Sequence, residues 1–441
     1  MGSKKHHKSG QIITAVVANA SGEIFELEGF GAVAMAGPAL TALTVEGTIR
    51  LPHGSELMLL PDRHPLLWNL AAERFEVVTE NPYAPGEALF PVAAFNSPGY
   101  VITGVSAYEE NPGAGFLPLF SYGAAGWYKN GFRTAALQVD RERRQDLRLM
   151  KPADVARGIR QKQKALPDNR LRAHLEKCAL TYGCPAGKNF FLGRYEAPLP
   201  TAQSCNARCL GCISLQKNNL IPASQNRIAF TPSPDEIAQV ALAHIRNVQQ
   251  SVVSFGQGCE GDPLMAAETI EPAIRKIRAA TAQGTINMNT NGSRPAALEK
   301  LFDAGLDSIR ISLNSVRQAC YDAYFRPSGY RFTDVLASIS LALERNRFVS
   351  INYLNCPGFT DSPAEHEALM TFLAKYKINM IQWRNLNYDP LRYWQAMGVQ
   401  TEPPPLGMRR CLASVKKKFP QLMHGYFNPP REKWGRPGDT A

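Results

Sequence analysis

The chain has 441 residues, 44% of them hydrophobic, and 49 Lys and Arg against 38 Asp and Glu, for a formal net charge of +11. That length predicts two domains with a sizeable core. No run approaches the roughly 20 apolar residues of a membrane helix, and no apolar leader opens the chain, so neither a membrane partner nor secretion is expected. Nine cysteines in such a chain point to a reducing cytoplasm rather than to a disulfide framework. The positive charge permits a nucleic-acid or phosphorylated partner without requiring one.

Lys4, Lys5, His6, His7 and Lys8 read as a solvated tail. Residues 11–139 then show short apolar or alternating runs at 12–17, 40–45, 56–60, 100–105 and 135–139. Turn clusters such as Asn96-Ser97-Pro98-Gly99 and Asn111-Pro112-Gly113 separate them, which predicts a β-rich N-terminal domain. The aromatic, glycine-bearing stretches Phe120-Ser121-Tyr122-Gly123 and Trp127-Tyr128-Lys129 read as core and turn.

Residues 140–189 turn helical and basic, with Arg157, Arg160, Lys162 and Lys164 among many cations. Such a connector is ordinarily a solvated face, and the alternative is a track for phosphates. Cys178 and Cys184 close it. They are expected to be structural thiols, since a second cluster would need a distant cysteine such as Cys259, Cys320, Cys356 or Cys411.

Residues 190–390 alternate helix and strand. Strands are expected at 190–195, 251–255, 285–289, 308–313, 348–353 and 380–384, with helices between them, the pattern of parallel βαβ units. About six repeats predict an α/β fold, a partial (β/α)6 barrel of parallel strands. The chemistry of such barrels sits at the C-terminal ends of the strands. Residues 391–441 form a proline-rich tail, with Pro403-Pro404-Pro405, expected to pack across the barrel or lie on its surface.

At the head of the barrel stands Cys205-Asn206-Ala207-Arg208-Cys209-Leu210-Gly211-Cys212. Three thiolates this close can face one centre, and soft thiolates select zinc, copper(I) or iron–sulfur clusters. A structural zinc site takes four protein ligands, and this triplet offers three. The C-x3-C-x2-C spacing, with Asn206 after the first cysteine, resembles the radical S-adenosylmethionine (radical SAM) superfamily. The resemblance implies a 4Fe-4S cluster on Cys205, Cys209 and Cys212, whose open iron chelates S-adenosylmethionine. It further implies one-electron cleavage to a 5′-deoxyadenosyl radical, hydrogen abstraction from a substrate, and a reducing donor of the flavodoxin or ferredoxin type.

The later strand ends carry the supporting matches. Gly256-Gln257-Gly258-Cys259-Glu260-Gly261-Asp262-Pro263 resembles the family's Gly-Gly-Glu-Pro motif through Glu260-Gly261-Asp262-Pro263, with Glu for the first Gly and Asp for Glu. Gly258, Glu260, Gly261 and Asp262 are therefore expected at the methionine end of the cofactor. Asn291, Ser312 and Asn314 are expected at its ribose and carboxylate, Pro357 at its adenine, and Arg384 at its carboxylate or the substrate. RNA or a nucleotide is the favoured substrate class, on the strength of the basic connector; a peptide or small metabolite comes next. A non-catalytic iron–sulfur sensor or nucleic-acid-binding regulator is the rival reading. It would need the cysteines but not the cradling loops.

Overall fold

The computed structural model describes residues 10–216, 221–400 and 403–435; the basic cluster Lys4 to Lys8 lies outside them. The chain divides into two compact units. The first takes residues up to 137 together with 356–363 and 388–411, and the second takes 138–355, 364–387 and 412 onward.

The first unit is antiparallel. Its central strand, Thr14–Ala18, pairs with Ile24–Gly31, Phe90–Phe95 and Gly123–Trp127. Ala15 and Val17 face Leu27, Leu67 and Leu89, while Val16 and Ala18 pack with Val92, Leu57 and Trp127. With both faces buried, the strand shows no polar alternation. The stretch around Phe120 is partly core, but residues 123–127 are a strand. A Cβ at Gly126 would lie 2.5 Å from Ile13 Cδ1, so a small residue is required there. Lys129 and Asn130, at φ 45° and 59°, make the two-residue turn into Phe132–Thr134. Positive φ at both positions suits the right-handed twist of a hairpin. Arg63 is 1% exposed; it donates to the carbonyls of Pro61 and Gly115 at 2.9 Å and pairs with Glu110 and, at 3.3 Å, with Asp389. Removing one partner of a buried pair costs about 3–5 kcal/mol.

The second unit opens with helices α1 (Pro152–Ala165), α2 (Arg170–Thr181) and α3 (Pro185–Leu192). Seven parallel strands follow in sequential order: β1 (Glu196–Pro198), β2 (Val252–Phe255), β3 (Thr285–Thr290), β4 (Ser308–Leu313), β5 (Phe348–Asn355), β6 (Met380–Asn385) and β7 (Met423–Gly425). Helices α4 (Pro234–Ile245), α5 (Ala267–Ala280), α6 (Pro295–Ala304), α7 (Gln318–Phe325), α8 (Phe332–Glu344) and α9 (Pro363–Tyr376) connect them. This is the expected parallel half-barrel with two corrections. The run at 190–195 is not the first strand. Phe190 and Phe191 belong to α3, which starts on Pro185 and ends on Gly193 in the left-handed conformation, and the strand begins at Glu196. The tail also contributes β7, which pairs Met380 with Met423 and extends the sheet by one strand.

The sheet's two faces differ in chemistry. Val253, Phe255, Ile286, Met288, Ile309, Ile311, Ile351 and Ile381 are wholly buried and alternate with Ser254, Asn287, Asn289, Arg310, Asn352 and Gln382. The polar set forms a network. Asn287 donates to Ser254 and Asn289, Arg310 to Gln382 at 3.0 Å, and Gln382 to Asn428, which in turn donates to Glu196. Side chains in a strand alternate between faces, so one face of the half-barrel is apolar under the helices and the other is polar. Among the described residues, no helix is long and apolar enough to cross a membrane.

Candidate active site at the strand ends

The segment after β1 runs alongside the loop after β2. Gly261 N–H donates to Ala202 O at 2.7 Å and Asp262 N–H to Ser204 O at 3.0 Å. Glu260 fastens the two. One carboxylate oxygen accepts from the amides of Thr201 and Ala202, at 2.8 and 2.9 Å, and the other from those of Gly256 and Gln257, at 2.7 and 2.8 Å. Burial raises its carboxyl pKa to about 7 against the pull of the four amides. All of its acceptor capacity is spent inside the loops, so its side chain shapes the cradle rather than reaching a ligand. The glycines are sterically required. Gly256 has φ +79°, and a Cβ there would meet Asn289 O at 1.7 Å.

Asp262 is likewise committed. It accepts from Leu264 N–H at 3.0 Å, Thr290 Oγ1 at 2.8 Å and Asn291 N–H at 2.7 Å, and burial raises its carboxyl pKa against those bonds. The residue thus ties the β2 loop to the end of β3. Asn291 Nδ2 donates to Asn206 Oδ1 at 2.8 Å, and Asn206 Nδ2 to Ser293 Oγ at 2.9 Å. The residue after the first cysteine is therefore locked onto the β3 loop. On the other side, Arg208 and Leu210 donate their N–H groups to Phe325 and Tyr324 at the end of α7, and Ser328 N–H donates to Asn206 O.

The other expected residues divide. Ser312 is half-buried on the polar face, opposite Asn352 on β5. Arg384 stacks over the Tyr426 ring at 3.9 Å and donates to the Tyr426 carbonyl. Asn314 is wholly buried and gives its amide to Cys320 O. A Cβ at Gly258 would meet Gln225 and Ile213 at 2.6 Å. Pro357 belongs to the first unit, where its carbonyl accepts from the Trp394 indole at 3.0 Å.

Sequence reasoning missed Arg227, whose guanidinium lies 3.7 Å from Cys212 Sγ and donates to Ser214 Oγ at 3.2 Å. It also missed Gln216, which holds the carbonyls of Leu210 and Cys212. An isolated Arg or Gln has no spacing signal. Burial pushes the Cys205 thiol up to about 11 and also raises that of Cys209 well above the ordinary thiol value, so both are protonated until a metal centre displaces their protons.

Residues 199–370 match the Radical SAM superfamily. The chain carries a radical SAM domain. The three thiols, the glycine cradle and the cation at Cys212 fit the iron–sulfur cluster and S-adenosylmethionine that such a domain implies. Similar solved structures include Streptococcus suis SuiB bound to S-adenosylmethionine (14% identity, 52% of this chain and 49% of that one, TM-score 0.37). Others are a methylornithine synthase (14%, 61% and 77%, 0.36) and a radical SAM methyltransferase from Sphaerobacter thermophilus (14%, 46% and 63%, 0.34). The chain spans about half the length of the SuiB chain it matches. No protein of curated function matches the sequence.

Proposed function

We propose that the protein is a radical SAM enzyme. Cys205, Cys209 and Cys212 would hold a 4Fe-4S cluster, with S-adenosylmethionine over the loops after β2, β3 and β4. When bound and reduced, that pair supplies a 5′-deoxyadenosyl radical, which abstracts a hydrogen atom from the substrate. The chain's own part is placement. Glu260 and Asp262 fix the loops and leave the backbone of 256–263 to meet the cofactor's methionine end. Asn206 and Asn291 lock the cluster loop to β3, and Ser312 and Arg384 present polar groups near the ends of β4 and β6. The observation that carries this reading is the chain of hydrogen bonds from Ser204 through Asp262 and Asn291 back to Asn206. A sensor needs its cysteines held but has no use for three strand ends fastened to them.

For the substrate, we infer a compact polar molecule bearing an anionic group. Supporting this are Arg310 Nε and Asn352 Oδ1, buried on the polar face without a hydrogen-bond partner. Burial, reinforced by Arg384, brings the Arg310 pKa down to about 9, which an anionic ligand would reverse. The case for RNA rested on the connector, whose cations are partly spent. Arg157 pairs with Asp154, Arg172 with Glu176 and Arg170 with Glu236, and Lys162 turns inward onto Ala243 O. The electron donor in this reading is a small flavodoxin- or ferredoxin-type protein.

The test is direct. Anaerobically reconstituted, dithionite-reduced protein incubated with S-adenosylmethionine should release 5′-deoxyadenosine and methionine. The variant with Cys205, Cys209 and Cys212 all changed to Ala should release none. A wild type that holds a reducible cluster and forms no 5′-deoxyadenosine would sink the enzyme reading.

A further inference from the structure

The structure assigns a second metal site, separate from the cysteine triplet: we propose that His174, Cys178, Cys259 and Cys184 bind one zinc-type divalent ion. His174 and Cys178 stand one turn apart on α2, four residues being the spacing that puts two side chains on one helix face. Cys259 arrives from the loop after β2. The ligating atoms of these three all lie within 4.8 Å of one another, and no other group of three among the described residues converges so closely. Cys178 Sγ is 3.5 Å from His174 Nε2. Around a tetrahedral zinc with sulfur near 2.3 Å and nitrogen near 2.05 Å, that edge is about 3.6 Å.

The fourth ligand follows from the fold. Cys184 opens α3, and its N–H donates to Cys178 O at 3.1 Å. That bond holds the start of α3 against the turn of α2 that carries Cys178, so Cys184 is the thiol placed to close the site. Three thiolates and one imidazole are a standard closed zinc set, and soft donors of this kind exclude magnesium and calcium. The three gathered ligand atoms sit at a single-ion separation, so the site does not suit a second cluster. Binding exchanges thiol protons for metal, with no change of oxidation state.

The site's position gives it a role. His174 also lines a cleft of about 390 Å³ with Arg170, Lys177, Tyr182, Arg227 and Phe230, so an ion can enter from solvent. Cys259 immediately precedes Glu260, and its carbonyl accepts from Ile228 at 2.8 Å. A metal bound here fastens α2 to the loop that, through Glu260 and Asp262, holds the cluster loop. It is a clamp on the cofactor cradle, and it stands whether or not the proposed reaction is right.

The test uses the full chain with Cys205, Cys209 and Cys212 changed to Ala, so that the first site takes up no metal. Anaerobic titration with Co2+ should saturate at one equivalent, with the intense visible bands of tetrahedral cobalt and a thiolate charge-transfer band, and Zn2+ should displace it. Cys259→Ser and the partly exposed His174→Gln should each weaken binding by at least roughly tenfold. Cys184→Ser should reduce the charge-transfer intensity by about a third, one thiolate of the three that ligate a Cys3His zinc. Three results would overturn the proposal. One is no Co2+ uptake by reduced, folded protein. Another is unchanged uptake in the Cys178→Ser, Cys259→Ser double variant. The third is iron and sulfide, or a Cys178–Cys259 disulfide, found at this site in place of a single ion.

Discussion

Gly261 lies against the main chain of Ser204, the residue before the first cluster cysteine: a Cβ at 261 would fall 1.9 Å from the Ser204 carbonyl oxygen. The obstacle is backbone, so no rotamer change relieves it. Either the cluster loop or the β2 loop must move, and the Asp262 N–H to Ser204 O bond breaks with it. Gly261→Ala should therefore keep its secondary structure by circular dichroism while taking up less than about half the wild-type iron on reconstitution. A displacement of about 1 Å near reacting groups can cost on the order of a hundredfold in rate, so 5′-deoxyadenosine formation should fall further than iron does. Full iron and full activity in this variant would mean the two loops are not coupled.

The parts of this site that were legible in the sequence are the local ones. The cysteine spacing, the glycines after Phe255 and the polar residues closing each strand are all read within a few positions. The half-barrel was legible because long helices and buried strands alternate. What escaped has physical reasons. Phe190 and Phe191 are an apolar pair that suits helix and strand equally, and only Pro185 and Gly193 as caps decide for helix. The β7 strand has three residues and no periodicity to detect. Asp262 reads as a ligand-facing acid by motif, yet its oxygens are taken by Thr290, Asn291 and Leu264. Cys178 reads as a structural thiol because sequence names four distant cysteines as possible partners, and only the tertiary fold shows that Cys259 is the one standing with it and His174.

Arg227 places a fixed positive charge and an N–H donor 3.7 Å from Cys212 Sγ. Hydrogen bonds and charge at the ligating sulfurs set the reduction potential of a thiolate-held cluster. Arg227→Met removes both while keeping the length of the side chain. The cluster should still assemble, and its midpoint potential should move negative in a spectroscopic redox titration, so that a given donor reduces less of it. An unchanged potential would mean that the guanidinium swings away from the sulfur once the cluster is bound.

His424 accepts the Trp383 indole N–H on Nδ1 at 3.0 Å, with the two rings stacked. That bond needs the neutral imidazole. Burial, aided by Lys416, lowers its pKa from 6.5 to about 3. His244, buried against the Tyr195 carbonyl, is lowered by burial to about 4. In the unfolded chain both take up a proton near pH 6.5, and in the folded chain they do not. Their contribution to stability is therefore complete above about pH 6.5 and is lost as pH falls toward the folded values. His424→Asn, whose Oδ1 can still accept from the indole, should flatten the dependence of the thermal midpoint on pH between about 6.5 and 5. An unaltered slope would place the acid sensitivity elsewhere.

The connector decides between the two substrate readings by its salt dependence. Of the four cations on α1 that would track phosphates, Arg157 is paired with Asp154 and Lys162 is half-buried against Ala243 O and the Phe190 ring. Arg160 and Lys164 remain exposed. Each phosphate neutralised on a single strand contributes about −0.7 to the slope of log affinity against log salt, so these two supply at most about −1.4. Single-stranded RNA binding, measured by anisotropy from low to moderate salt, should therefore be weak. Changing Arg160 and Lys164 together to Gln should flatten its slope by no more than that amount. A wild-type slope steeper than about −4 would require at least six phosphate contacts. It would return RNA to first place and displace the compact anionic substrate, whose only claim is the unpartnered Arg310 Nε and Asn352 Oδ1 on the polar face of the half-barrel.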